Sequence, residues 1–104
     1  MDAMESEPVA ELDSLSVLFR ALADPTRRTI LDELQERDGQ SLFELCTRLA
    51  MRHQISSSRQ AISQHLAVLE EAGLVRSRRE GRTKLHSLCT EPLRSILERW
   101  PLPD

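Results

Sequence analysis

The sequence predicts a mainly α fold with one small β-hairpin, in the order αααα-ββ-α, and three observations carry that expectation. Apolar residues recur at helical spacing through four segments before Gly73, with Asp, Pro or Ser signals opening the second, third and fourth. A short stretch, Val75–Leu88, is split by Glu80-Gly81-Arg82 as a hairpin would be. A last apolar-striped segment, Glu91–Trp100, is closed by Pro101 and Pro103.

Residues 1–11 are acidic, poor in large apolar groups and contain Pro8, so they are expected to form a disordered arm ahead of a folded domain over 12–104. Helix 1 is expected over about Leu12–Ala23, with Leu15, Leu18, Phe19 and Leu22 on one stripe. Asp24-Pro25 starts helix 2: Asp caps, and Pro takes the first helical position, where a missing N–H does no harm. That helix runs to about Arg37, burying Ile30, Leu31 and Leu34, and Asp38-Gly39 ends it. Ser41-Leu-Phe-Glu44 fits a capping box opening helix 3, whose stripe is Leu42, Leu45, Cys46 and Leu49. Ser57-Ser-Arg-Gln60 repeats the logic for helix 4, with Ser57 as cap, and Gly73 closes it. The strands are expected at Val75–Arg79 and Thr83–Leu88, with Gly81 supplying positive φ, and Thr90 is expected to cap the final helix.

At 104 residues the chain makes one small domain with a modest core. No apolar run approaches the ~20 residues that span a bilayer, and no leader pattern opens the chain, so a cytoplasmic protein is expected. Two cysteines are too few for a disulfide scaffold, and alone too few for a structural zinc site. The net charge of −3 hides an asymmetry. Residues 1–14 carry five acids and no Lys or Arg, whereas Arg48–His86 carries eight Lys or Arg against Glu70, Glu71 and Glu80. Local surface charge, not the total, sets affinity for phosphate.

The helix at 58–72 is built for two tasks. Ala61, Ile62, Leu66, Val68, Leu69 and Ala72 fall on one side, and Arg59, Gln60, Ser63, Gln64, Ala67, Glu70 and Glu71 on the other. Arg59, Gln60, Ser63 and Gln64 are donors and acceptors suited to base edges, since Gln pairs bidentately with adenine and Arg with guanine. Ser58 is placed for phosphate at the helix start. His65 falls among the apolar residues and is expected to pack; His53 and His86 stand isolated, with no catalytic partner nearby. The hairpin adds Arg76, Arg78, Arg79, Arg82 and Lys84, of which Arg82 at the tip is the best placed for phosphate, then Lys84, with Arg78 also a candidate. Strand alternation puts Arg76 and Arg78 on one face and Arg79 on the other, so not all five reach one duplex. Arg27 and Arg28 either add phosphate contacts or pair with Asp24 or Asp32. These elements read as a recognition helix followed by a basic wing, with helix 58–72 placed for the major groove and wing 75–88 for phosphates.

Three segments carry a family likeness. Leu22-Ala-Asp-Pro-Thr-Arg-Arg-Thr-Ile-Leu31, Ser63-Gln-His-Leu-Ala-Val-Leu-Glu-Glu-Ala-Gly-Leu-Val75 and Glu80-Gly-Arg-Thr-Lys84 resemble the ArsR-type bacterial winged helix-turn-helix repressors, in the family's order. The likeness covers about Leu15 to Trp100 and implies a homodimeric repressor of double-stranded DNA. The candidate dimer surface is Leu15, Leu18 and Phe19 of helix 1 with Leu93, Ile96, Leu97 and Trp100 of the last helix.

The chain departs from the family in three places. The Cys-x-Cys pair of its metal sensors is reduced to Cys46, and no Asp-x-His set with partners on the last helix can be assembled, so no metal and no cofactor is expected. The link Met51–Ser57 is longer than a tight turn: either helix 3 gains a turn, or a loop carrying Arg52 and His53 projects toward DNA. The chain stops at Trp100-Pro-Leu-Pro-Asp104, where many relatives continue into another pairing helix. Two other readings stand beside the main one: a winged helix used only for protein contacts, and a thiol-responsive repressor using Cys46 and Cys89. An enzyme finds no support, for there is no nucleophile–base spacing, no Gly-rich phosphate loop and no paired carboxylates in a plausible cleft.

Overall fold

Residues 13–104 are described by a computed structural model, and the order of their elements is the one the sequence predicts. The helices are α1 (Ser14–Leu22), α2 (Pro25–Glu36), α3 (Leu42–His53) and α4 (Arg59–Glu71). The hairpin β1 (Val75–Glu80) and β2 (Thr83–Leu88) follows, then a 3₁₀ turn at Glu91–Leu93 and α5 (Arg94–Arg99). The acidic arm expected over 1–11, and Leu12 of the first helix, lie outside the described residues.

The starts of α1, α2 and α3 follow from side chains that satisfy orphan N–H groups. Asp13 accepts from Ser16 N at 2.7 Å, and Asp24 from Arg27 N at 3.1 Å, with Pro25 in the first helical position. The capping box is present in full: Glu44 N donates to Ser41 Oγ at 3.1 Å, and Ser41 N to Glu44 Oε1 at 2.9 Å. Two caps differ from expectation. Ser58, not Ser57, caps α4 by accepting from Ala61 N at 3.0 Å. Thr90 makes no side-chain cap, because its backbone is already helical and the chain enters a 3₁₀ turn.

The core forms where the four apolar stripes meet: Leu18 and Ala21 of α1, Ile30 and Leu34 of α2, Leu45 and Leu49 of α3, and Ile62, Leu66 and Leu69 of α4. Leu74 and Val75 close it from below the hairpin. Leu31, placed in the core by spacing, is only partly buried; the fully buried neighbour on α2 is Glu33.

Polar groups that periodicity could not assign hold the helices together. Glu33 Oε1 accepts from Arg48 Nε, while Glu33 Oε2 lies 3.1 Å from Arg52 Nε and 3.0 Å from His53 Nε2. Burial alone would raise the Glu33 carboxyl, yet the hydrogen bonds from Arg48 and His53 and the charges of Arg48 and Arg52 outweigh it and hold the group low. Gln40 makes a one-residue bridge to β2: its N donates to His86 O at 3.0 Å, and His86 N donates back at 2.8 Å. His86 Nδ1 also faces Gln40 O at 2.9 Å, and Gln40 Nε2 donates to the carbonyls of Glu33 and Arg37. His53 and His86 are therefore not isolated, as the sequence suggested; both are tied to α2 or its exit.

The guanidinium groups of Arg27 and Arg28 turn to backbone carbonyls and not to Asp24 or Asp32. They fold back over the carboxyl end of α1, where Arg27 takes the carbonyls of Arg20 and Ala21, each at 2.9 Å, and Arg28 takes that of Leu22 at 2.7 Å. Two cations thus cap the negative end of the α1 dipole. No helix among the described residues is long and apolar enough to cross a membrane.

Candidate nucleic-acid interface

The link before α4 takes the first of the two courses that the sequence left open: helix 3 gains a turn. Helix α3 continues through Met51, Arg52 and His53, because Arg52 and His53 are drawn to the Glu33 carboxylate. Arg52 and His53 accordingly point to α2 and not outward on a loop. Gln54 then adopts φ 56°, and Leu49 O accepts from both Gln54 N and Ile55 N, the latter at 3.0 Å. Ile55 tucks against the core, and Ser56, Ser57 and Ser58 run exposed into α4.

Helix α4 lays Ile62, Leu66 and Leu69 into the core and so turns its other side outward. Arg59, Gln60, Ser63 and Gln64 are all exposed on its first two turns, on one continuous face opposite the core. Ser58 sits at the head of that face, its Oγ engaged by Ala61 N. The positive end of the helix dipole and the first N–H groups add to the pull on an anion there. His65 lies beside the apolar stripe, half-buried, with Nδ1 3.2 Å from Arg27 Nη1.

The wing departs from the expected register. A three-residue loop at Glu80-Gly81-Arg82 would pair Arg79 with Thr83 and put Arg78 opposite Lys84. The loop has only two residues, pairing Glu80 with Thr83 and Arg79 with Lys84. Gly81 at φ 64° is the first central residue, the place where a type II′ hairpin needs glycine. A slip of one residue moves a side chain to the other face. Arg79, not Arg78, therefore shares a face with Lys84. Arg78 is turned to the outer face, where its guanidinium lies 3.8 Å from Glu80 and 3.4 Å from Ser87 Oγ. Lys84 Nζ stands 3.8 Å from Glu70 Oε2, which ties the wing to the second half of α4. Arg82 is exposed at the tip, and among the described residues Arg59, Arg79 and Arg82 make no ion pair.

The candidate dimer surface divides in two. Leu18 is 2% exposed and belongs to the core, so it is not available to a partner; Leu15, Leu93 and Ile96 pack partly against that core. Phe19, Leu97 and Trp100 remain open, at 43%, 48% and 54%. The rings of Phe19 and Trp100 stack with centroids 6.4 Å apart, and the Arg99 guanidinium lies 5.2 Å from the Trp100 centroid. The stacked pair forms an exposed apolar patch between α1 and the end of α5, with Leu97 open on α5 itself. Both cysteines are free and half-buried, and burial pushes the Cys46 thiol up despite the charge of Arg59. Among the described residues no group of three or more His, Cys, Asp or Glu is arranged to hold a metal ion.

Comparison with known proteins bears on this geometry. Residues 22–78 match a family described as a helix-turn-helix domain. The chain is 49% identical over 83 residues to the uncharacterized HTH-type transcriptional regulator YuzN of Bacillus subtilis, covering 80% of this chain and 90% of that one. An ArsR-like transcriptional regulator from Rhodococcus superposes with a TM-score of 0.72 at 35% identity, covering 89% of this chain and 79% of the other. The homodimeric winged helix-turn-helix DNA-binding domain of Mb0332 from Mycobacterium bovis, a possible ArsR-family regulator, gives a TM-score of 0.66 at 25% identity, covering 90% and 83%.

Proposed function

The chain belongs to the ArsR-type winged helix-turn-helix DNA-binding transcriptional regulators, and from that premise we propose that it acts as a homodimeric repressor that reads the major groove with α4. The observation that carries this reading is the exposed Arg59, Gln60, Ser63 and Gln64 face, set at the head of a helix whose opposite side is locked into the core. Arg and Gln on that face supply base-edge contacts worth ~1–3 kcal/mol of discrimination each. Ser58 and the helix start hold a phosphate, and Arg82, Lys84 and Arg79 on the wing hold others.

The stacked Phe19–Trp100 patch with Leu97 is the surface proposed to pair two subunits, and a two-fold symmetric site then calls for two α4 helices about 34 Å apart; the Mb0332 domain is itself described as homodimeric. Repression follows where the bound site overlaps a promoter. Such a ligand fits the cytoplasmic location expected from the sequence. A raised Cys46 thiol weighs against the thiol-responsive alternative, because a thiol is the less reactive form.

The test is selection of duplexes from random DNA, with the mass of the complex measured in solution. A two-fold symmetric site bound by two copies is expected. Arg82→Ala should lower the slope of log affinity against log salt by about 0.9 for each phosphate contact removed. Weak association that ignores both sequence and salt would refute the proposal.

A further inference from the structure

One side chain joins the end of α1 to the middle of the reading helix. Arg27 donates from Nε to Ala21 O and from Nη2 to Arg20 O, each at 2.9 Å, and its Nη1 lies 3.2 Å from His65 Nδ1. A guanidinium offers only donors, so His65 Nδ1 must present a lone pair to it and carry its ring proton on Nε2. The arginine is pinned at its other end as well, because its own N–H donates to the Asp24 carboxylate at 3.1 Å. Arg27 thus touches α1 through its last carbonyls, α2 through its backbone and α4 through an imidazole.

We infer that the Arg27–His65 contact sets the rotation of α4 about its axis, and that both are positioning residues for sequence reading; the inference rests on the DNA-binding role proposed above. His65 directly follows Ser63 and Gln64 on the reading face. Side chains reach about 5–6 Å from a helix axis, so a rotation of about 10° carries a side-chain tip by about 1 Å. Hydrogen bonds to a base edge tolerate less than that, since their useful range is roughly 2.7–3.2 Å. A phosphate held by a long Arg or Lys on the wing adapts to the same shift. Because α1 also carries Phe19 of the pairing patch, the contact fixes each reading helix against its own subunit boundary. Disturbing it costs selectivity and spares general affinity for DNA.

The experiment compares the wild type with His65→Leu, His65→Gln and Arg27→Lys on two probes: the duplex selected by the wild type, and a scrambled duplex of equal length and composition. Each is titrated at two salt concentrations. His65→Leu removes the acceptor and should reduce the selected-to-scrambled affinity ratio roughly tenfold, the scale of one mis-set base contact. Affinity for the scrambled duplex and the salt slope, which report phosphate contacts, should stay within about twofold. His65→Gln restores an acceptor for Arg27 and should keep the ratio within about threefold of the wild type. Arg27→Lys keeps the charge but not the fork, and should behave like His65→Leu.

An unchanged ratio in His65→Leu overturns the inference. So does equal loss in the Leu and Gln variants, or a loss on the scrambled duplex that matches the loss on the selected one, since each points to packing alone. If the wild type itself selects no sequence and binds without regard to salt, the DNA-reading role falls, and this inference falls with it.

Discussion

Glu33→Gln tests whether the charged knot between α2 and α3 holds the helix-turn-helix together. The Glu33 side chain is fully buried and receives Arg48, Arg52 and His53, so the amide replaces it without leaving a cavity but turns an NH₂ toward existing donors. Breaking a fully buried pair costs about 3–5 kcal/mol. Here Arg48 and Arg52 are 23% and 46% exposed, and they can turn to water when their partner goes. The loss should therefore fall to about 2–3 kcal/mol, or roughly 10 °C in Tm for a chain of this size. The pH dependence gives a second handle. The Glu33 carboxyl is held below its ordinary 4.5 by Arg48, His53 and Arg52 against the opposing effect of burial. Its contribution to stability is thus complete above that value and is lost as pH falls through the lower folded one. Urea unfolding at pH 7 and about pH 3, at one protein concentration, should show the wild type well ahead at neutral pH and the two proteins converging in acid. Equal stability at pH 7, or a gap that persists unchanged in acid, would refute the reasoning.

Three further outcomes are expected. Gly73→Ala forces a Cβ into φ +77° and to within 3.2 Å of Pro92 Cγ, whereas Gly81→Ala at φ +64° meets open space; denaturant midpoints should show the first losing more than the ~1–2 kcal/mol of backbone strain that the second loses. Cys46, with its thiol pushed above the ordinary 9.0 by burial, should alkylate at neutral pH below the rate of a free thiol and speed up as the pH is raised, as followed by peptide mass after digestion. Trp100→Ala removes half of the exposed aromatic stack and should weaken subunit association roughly thirtyfold, the scale of an interface anchor, with the fold intact by circular dichroism; an unchanged sedimentation profile would move the pairing surface elsewhere.

The parts of this fold that were legible in the sequence are those set by local chemistry. Asp24-Pro25, Ser41 with Glu44, and the glycines at 73 and 81 each solve a problem within three or four residues, and each sits where its own chemistry puts it. The reading face of α4 was legible for a related reason: a 3.6-residue period fixes the exposed side once the buried side is known. Errors of a single residue arose where two neighbours offer the same chemistry. Ser57 and Ser58 are both good caps, and only the course of the loop from Gln54 decides between them. The wing failed in the same manner, since Glu80-Gly81-Arg82 allows a loop of two residues or three, and that choice decides whether Arg78 or Arg79 stands opposite Lys84.

What the sequence concealed is of another kind. Glu33, Gln40 and His86 are polar yet buried, and a rule that sends polar groups to the surface misplaces all three, while the end-capping role of Arg27 and Arg28 leaves no periodic trace. Partners far along the chain set several of these positions, Arg48 lying 15 residues from Glu33, His65 38 from Arg27 and His86 46 from Gln40, whereas Arg28 caps a carbonyl only six residues back. These contacts concentrate on α2, which carries no part of the proposed DNA face. Helix α2 nevertheless holds the end of α1 through Arg27 and Arg28, the last turn of α3 through Glu33, and the middle of α4 through Arg27. Apolar stripes alone would let these helices slide and rotate over one another, because hydrophobic contact has no direction. Directional bonds at three points of one central helix remove that freedom, so the interior polar groups specify the orientation with which the outer ones meet DNA.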